Sequence, residues 1–127
     1  MNMERNQGIQ FLSREEIRAY QEKRMAEALD YVSKNSPFYS KLFSDNHIDI
    51  SKIRTLDDLS CIPVTTKPDL QSRNQNFVCV PPSEIVDYPT TSGTLGDPVT
   101  FAETESDLEH LAYNEFLSFS TAGCTRD

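Results

Sequence analysis

What most constrains the fold of this chain is a repeated local signal: a Ser or Thr followed three residues later by Glu or Asp, ahead of apolar residues. Ser13-Arg14-Glu15-Glu16, Thr55-Leu56-Asp57-Asp58 and Thr104-Glu105-Ser106-Asp107 all carry it. In this arrangement the hydroxyl accepts an N–H of the first helical turn, and the carboxylate accepts the cap's own N–H, so each segment marks a helix start. After the first, Ile17, Tyr20, Ala28, Leu29 and Val32 recur at spacings near 3.6 with Met25 beside them. That period predicts an amphipathic helix of about five to six turns. Arg14, Arg18, Glu22, Lys23 and Glu27 fall on its other face, read as a solvated surface. Asn35-Ser36-Pro37 ends it, because the residue before a proline is pushed out of the helical region.

A short helix is expected over Phe38 to Phe43, with Tyr39, Leu42 and Phe43 packing back on the first. The Thr55 segment opens a brief turn that Pro63 ends, and Thr66-Lys67-Pro68-Asp69 caps another helix with proline in its first turn. After Arg73 the texture changes. Phe77-Val78-Cys79-Val80, Ile85-Val86-Asp87-Tyr88 and Val99-Thr100-Phe101-Ala102 are short strand candidates. The Thr104 segment then leads into a helix with Leu108, Leu111, Ala112, Phe116 and Phe119 on one face, and Gly123 is placed to stop it. The fold class is therefore α/β: a mainly helical portion over 1–73, then a strand-rich part over 74–127 with a loop at 90–98 and a helix at 105–122.

Composition narrows the function by exclusion. With 12 Lys+Arg against 20 Asp+Glu in 127 residues, the net charge is −8. Nucleic-acid and anionic-membrane surfaces both demand a basic footprint, and no basic patch stands out, so neither partner is expected. No apolar run approaches the length of a membrane span, and the N-terminal residues lack the apolar core of a signal peptide. Cys61, Cys79 and Cys124 are odd in number and form no Cys-x-x-Cys pair. They read as thiols of a reducing compartment, with Cys61 and Cys79 in apolar surroundings, which favours a cytoplasmic location over a disulfide framework or zinc site. His47 and His110 have no ligand or triad spacing and are expected at the surface or on helix flanks. Lys67 is expected at the surface, Tyr39 in the core, and Asp107 at its helix start. No catalytic or metal-binding residue is assigned.

The chemistry concentrates in Thr90-Thr91-Ser92-Gly93-Thr94-Leu95-Gly96-Asp97-Pro98, which holds two of the chain's four glycines beside four hydroxyl residues. Glycines let backbone N–H groups turn inward at positive φ and form a nest for anionic oxygens, and hydroxyls add rotatable donors. Composition alone fits both a phosphate-binding loop and an ordinary hairpin turn, and favours the ordinary turn. The Walker and dinucleotide glycine patterns are both absent.

Thr91 to Pro98 resembles the Thr/Ser-Ser-Gly-Thr-Thr-Gly-Lys-Pro signature of adenylate-forming enzymes. The chain as a whole is similar to the N-terminal part of the phenylacetate–coenzyme A ligase family. Asn35 to Tyr39, Ile53 to Leu59, Ile62 to Leu70, Asp107-Leu108 and Ala122-Gly123 stand in the family's order and spacing. The resemblance implies a strand–loop–strand that wraps the ATP phosphates at Thr91, Ser92, Gly93, Thr94 and Gly96. It also implies ATP, Mg²⁺ and coenzyme A as the small molecules of a two-step reaction. A carboxylic acid, aryl-acetic by the same resemblance, becomes an acyl-adenylate with release of pyrophosphate, and coenzyme A then displaces AMP. Leu95 replaces a usual hydroxyl. Asp97 stands where lysine is common, a charge reversal worth roughly 4 kcal/mol at about 4 Å in an effective dielectric near 20; an outward-turned Asp97 is the expectation.

The family's later motifs, for adenine, ribose, the acid pocket and the adenylation lysine, are not among these residues. The expectation is an incomplete part of a larger adenylate-forming domain that does not turn over alone. Two alternatives stand beside it: a non-catalytic nucleotide-binding or interaction module, and an adenylating relative that hands its acyl group to a protein or saccharide. In a piece of a larger domain, Phe116, Leu117 and Phe119 would be exposed, and self-association as a homodimer would be one way to cover them.

Overall fold

The capping signals set the frame seen in the computed structural model, which describes residues 9–93 and 97–124. Helix α1 runs Arg14–Asn35, α2 Pro37–Asp45, α3 Lys67–Arg73 and α4 Glu105–Thr121. Short 3-10 turns occupy Ile50–Lys52, Leu56–Cys61 and Asn74–Phe77, among others. Two strands, β1 (Ile85–Asp87) and β2 (Glu103–Thr104), pair antiparallel. The chain divides into two compact units, one up to Cys79 and one from Val80 onward.

In the first unit Ser36 joins α1 to α2. Its N–H closes α1 on the Val32 carbonyl at 2.9 Å, and its hydroxyl accepts the Tyr39 N–H at 3.3 Å as the cap of α2. The same hydroxyl donates to the Asn76 carbonyl at 3.0 Å. A polar side chain this buried (1% exposed) is tolerable only because these bonds satisfy it. Pro37 follows as the first helical residue, where its missing N–H leaves no vacancy. Among the described residues of this unit, Phe38, Phe43 and Ile53 are the buried apolar side chains. Phe38 stacks on Phe77 with ring centroids 4.0 Å apart, and Tyr39 meets Phe77 edge-on at 5.9 Å.

Several expectations need correction here. Phe77 to Val80 is no strand: Phe77 ends a 3-10 turn and its ring goes to Phe38 rather than to a sheet. The polar face of α1 is not merely solvated. Glu22 accepts the Arg18 guanidinium at 3.0 Å and the Leu56 N–H at 3.3 Å, while Arg18 reaches Asp57 at 2.7 Å, tying α1 to the 56–61 turn. Cys61 is exposed rather than in apolar surroundings. Cys79 is half-buried, and that burial pushes its thiol pKa up. His47, by contrast, is exposed as expected, and it follows α2 in the left-handed region (φ 52) while Ile48 N–H bonds the Phe43 carbonyl at 2.9 Å.

The capping carboxylates couple this unit to pH. Glu16 is held below the usual carboxylate range by the Ser13 N–H, Asp58 by the N–H groups of Thr55 and Arg54, and Asp69 by the Thr66 hydroxyl and N–H. A carboxylate with a depressed folded pKa adds stability that is present above its unfolded value, about 4, and lost as pH falls through the folded value. Urea midpoints should therefore hold steady above about pH 5 and fall on further acidification. Asp58→Asn should reduce that acid slope; an unchanged slope would show that the caps do not carry it.

In the second unit, β2 turns directly into α4. Thr104 donates its N–H and its hydroxyl to the Asp107 carboxylate, both at 2.8 Å, and accepts the Asp107 N–H at 3.3 Å. Asp107 thus starts its helix, as expected. Gly123 (φ 82) ends it, with Gly123 N–H on the Ser120 carbonyl and Cys124 N–H on that of Phe119. The face of α4 differs from the expected stripe. Leu108, His110, Tyr113 and Leu117 are half-buried, whereas Leu111, Phe116 and Phe119 are exposed. Leu117 therefore does not join the exposed set.

Candidate functional site

The hydroxyl- and glycine-rich segment sits on the two arms of a hairpin. Outside the loop, β1 and β2 pair Ile85 with Thr104 and Asp87 with Glu103, with an irregularity between the two pairs. Nearer the loop, Phe101 N–H donates to the Pro89 carbonyl at 2.9 Å, and Thr90 bridges Thr100. At the neck, Thr91 N–H donates to the Val99 carbonyl at 3.0 Å, and Val99 N–H donates back to the Thr91 hydroxyl oxygen at 3.0 Å. The second arm therefore pairs through Val99, Thr100 and Phe101, within the Val99–Ala102 strand read from β-propensity, and again at Glu103–Thr104 beyond it. Val99 is 3% exposed, so the neck rests on a buried apolar side chain.

Of the loop residues singled out from sequence, Thr91 and Ser92 are exposed and Gly93 is half-buried. Gly93 adopts φ 63, the left-handed region where backbone N–H groups on either side of a residue turn toward one side. Thr94, Leu95 and Gly96 lie outside the described residues. Asp97 is exposed. The mutual bond between Thr91 and Val99 was not foreseen; only the placement of a Thr just inside a glycine loop hinted at it.

The charge around the loop is one-sided. No Lys or Arg occurs between Arg73 and Arg126, while Glu84, Asp87, Asp97, Glu103, Glu105, Asp107, Glu109 and Glu115 all fall in that interval. An anion held here must be met by backbone N–H groups, hydroxyls and a cation from outside the segment. Among the described residues, no group of three or more His, Cys, Asp and Glu is arranged to hold a metal ion. In the first unit, a cavity of about 340 Å³ is lined by Arg14, Ile17, Arg18, Gln21 and Leu56. Its Arg18 is already engaged with Glu22 and Asp57, so that cation is largely neutralised. No helix among the described residues is long and apolar enough to cross a membrane.

No protein-family model matches the chain. Individual proteins do. It is 34% identical over 116 residues, 91% of its length, to the phenylacetate-coenzyme A ligase of Thermus thermophilus. It is 32% identical over 117 residues to that of Escherichia coli. Its fold superposes on 2-hydroxyisobutyryl-CoA ligase, in complex with 2-HIB-AMP and CoA, with a TM-score of 0.73 at 27% identity. Over most of its length the chain is similar to a part of the phenylacetate-coenzyme A ligases. It spans 26% of the length of the two named ligases, and the structural match covers 81% of this chain and 23% of the other. Its α/β architecture is thus part of an adenylate-forming ligase fold. The 2-HIB-AMP and CoA belong to that solved ligase.

Proposed function

We propose that this chain, as the N-terminal portion of its fold, supplies the ATP-phosphate-binding loop of an enzyme that activates a carboxylic acid as its acyl-adenylate and passes the acyl group to coenzyme A. An aryl-acetic acid is the substrate class, from the phenylacetate ligases it resembles. Residues 1–73 act as helical support, and 74–127 carry the loop at 90–98. The observation that carries this reading is Gly93 at φ 63, next to Ser92, at the mouth of a hairpin closed from Pro89 to Phe101. Thr91, Ser92, Gly93, Thr94 and Gly96 form the phosphate-facing segment, through hydroxyls and backbone N–H groups. With no Lys or Arg nearby in sequence, Mg²⁺ supplies the charge that offsets the triphosphate. Its ligands are not assigned to this chain, and neither is the coenzyme A site.

The chain by itself is proposed to bind ATP·Mg²⁺ without releasing pyrophosphate. Calorimetry with ATP·Mg²⁺ tests the binding. Ser92→Ala should weaken it about tenfold, the value of one hydrogen bond to a charged group. Wild-type chain that gives no binding heat at millimolar nucleotide would overturn the reading, and pyrophosphate release by the chain alone with phenylacetate would overturn the division of labour.

A further inference from the structure

Thr91 differs from its loop neighbours in what its hydroxyl is already doing. Its oxygen accepts the Val99 N–H at 3.0 Å, and its own N–H returns a bond to the Val99 carbonyl at 3.0 Å. A single residue therefore grips both backbone polar groups of Val99, across a loop that leaves at Ser92 and returns at Pro98. Two further contacts, Thr90 with Thr100 and Phe101 N–H with the Pro89 carbonyl, continue the closure away from the mouth. Thr91 is the last of these cross-links before the loop opens. Because Val99 is 3% exposed, water is poorly placed to replace the hydroxyl if it is removed.

We propose that Thr91 is a positioning residue: its hydroxyl clamps the neck of the hairpin on Val99 and so fixes where Ser92 and Gly93 present their donors to phosphate. This rests on the nucleotide-binding reading given above but divides the labour within it. Ser92 is exposed and Gly93 carries the left-handed turn, so these two face the mouth. A hydroxyl oxygen that accepts one bond has its torsion restricted, and its main contribution becomes loop shape. Serine at position 91 retains the oxygen; valine retains the shape but cannot accept.

Amide hydrogen exchange at Val99 in the ¹⁵N-labelled chain, with no nucleotide present, reads the clamp directly. Thr91→Val should speed Val99 exchange about tenfold or more, because it leaves a buried N–H without an acceptor, while Thr91→Ser should stay within about threefold of wild type. Ser92→Ala should leave Val99 exchange unchanged. In calorimetry with ATP·Mg²⁺, Thr91→Val should lose affinity, Thr91→Ser should restore it, and Ser92→Ala should lose it with the neck intact. Unchanged Val99 exchange in Thr91→Val would overturn the proposal. So would a Thr91→Ser variant that behaves like the valine one, including the case where valine opens the whole hairpin. If wild-type chain binds no nucleotide, the nucleotide reading fails, and the exchange comparison still decides whether Thr91 is the clamp.

Discussion

Replacing Phe38 with alanine should destabilise the first unit by about 3–5 kcal/mol, the range for truncating a buried aromatic in a packed core. Phe38 is 6% exposed and sits one residue after the Pro37 that begins α2. Its ring stacks on Phe77 at 4.0 Å and 24°, and meets Tyr39 edge-on at 5.3 Å. The Arg73 guanidinium lies 4.8 Å from the ring centre. Alanine removes all three contacts at once. This unit also has little in reserve, since among its described residues Phe43 and Ile53 are the other buried apolar side chains. Against a typical total of about 5–15 kcal/mol, the loss should move the urea midpoint far enough to unfold much of the population at low denaturant.

The pair can be separated from the general cost of truncation. A cycle of Phe38→Ala, Phe77→Ala and the double variant should give a coupling of about 0.5–1.5 kcal/mol, as stacked aromatic pairs do. A single-variant loss under about 1 kcal/mol, read from urea curves by circular dichroism, would mean that α2 is not anchored through Phe38.

Phe38 also shows where sequence reading succeeds and where it stops. The helix that carries it was legible because its signals are local: Ser36 before Pro37, then aromatic residues at helical spacing. The capping boxes at Ser13 and Thr104 were legible for the same reason, since the atoms that make them lie within four residues. The ring on which Phe38 stacks was not. Phe77 begins an apolar run, Phe77-Val78-Cys79-Val80, whose composition suits a strand, and only contact with a helix forty positions earlier decides otherwise. Ser36 looks like a simple cap in sequence; its burial depends on the Asn76 carbonyl, which no local pattern announces. The inward face of α4 was misassigned for a related reason. Leu111, Phe116 and Phe119 are more apolar than His110 and Tyr113, yet the half-buried positions are the latter with Leu108 and Leu117. Hydrophobicity marks a stripe but does not say which neighbour meets it.

The candidate site follows the same division. The loop's composition and its family order were readable, and both arms of the hairpin were placed approximately. The register was not, because β-propensity marks Val99 to Ala102 without saying which residues they face, or that pairing resumes at Glu103 and Thr104. The left-handed turn could be assigned to a glycine but not to a particular one, and here the observed conformation singles out Gly93 within the described part of the loop.

Gly93→Val should therefore be the most damaging single change to nucleotide binding. At φ 63 a β-branched residue is forced into a region that costs L-residues about 1–3 kcal/mol, so the backbone will leave it. Leaving it rotates the neighbouring N–H groups away from a shared anion, and the strain alone corresponds to a roughly 5- to 150-fold loss in affinity for ATP·Mg²⁺. Gly93→Asn should lose less, since asparagine enters the left-handed region more readily. The control is Gly123, also left-handed at φ 82, where a Cβ would meet nothing within 4 Å. Gly123→Ala should carry a similar backbone penalty at the end of α4 and leave ATP·Mg²⁺ affinity as it was. If Gly93→Val and Gly123→Ala reduced affinity equally, the effect would be one of general stability and not of the loop. Equal affinity for wild type and Gly93→Val would show that the left-handed turn at 93 does not shape the phosphate site. A loss confined to Gly93→Val, with the urea midpoint of the first unit unchanged, ties the conformation of one residue to the chemistry proposed for the chain.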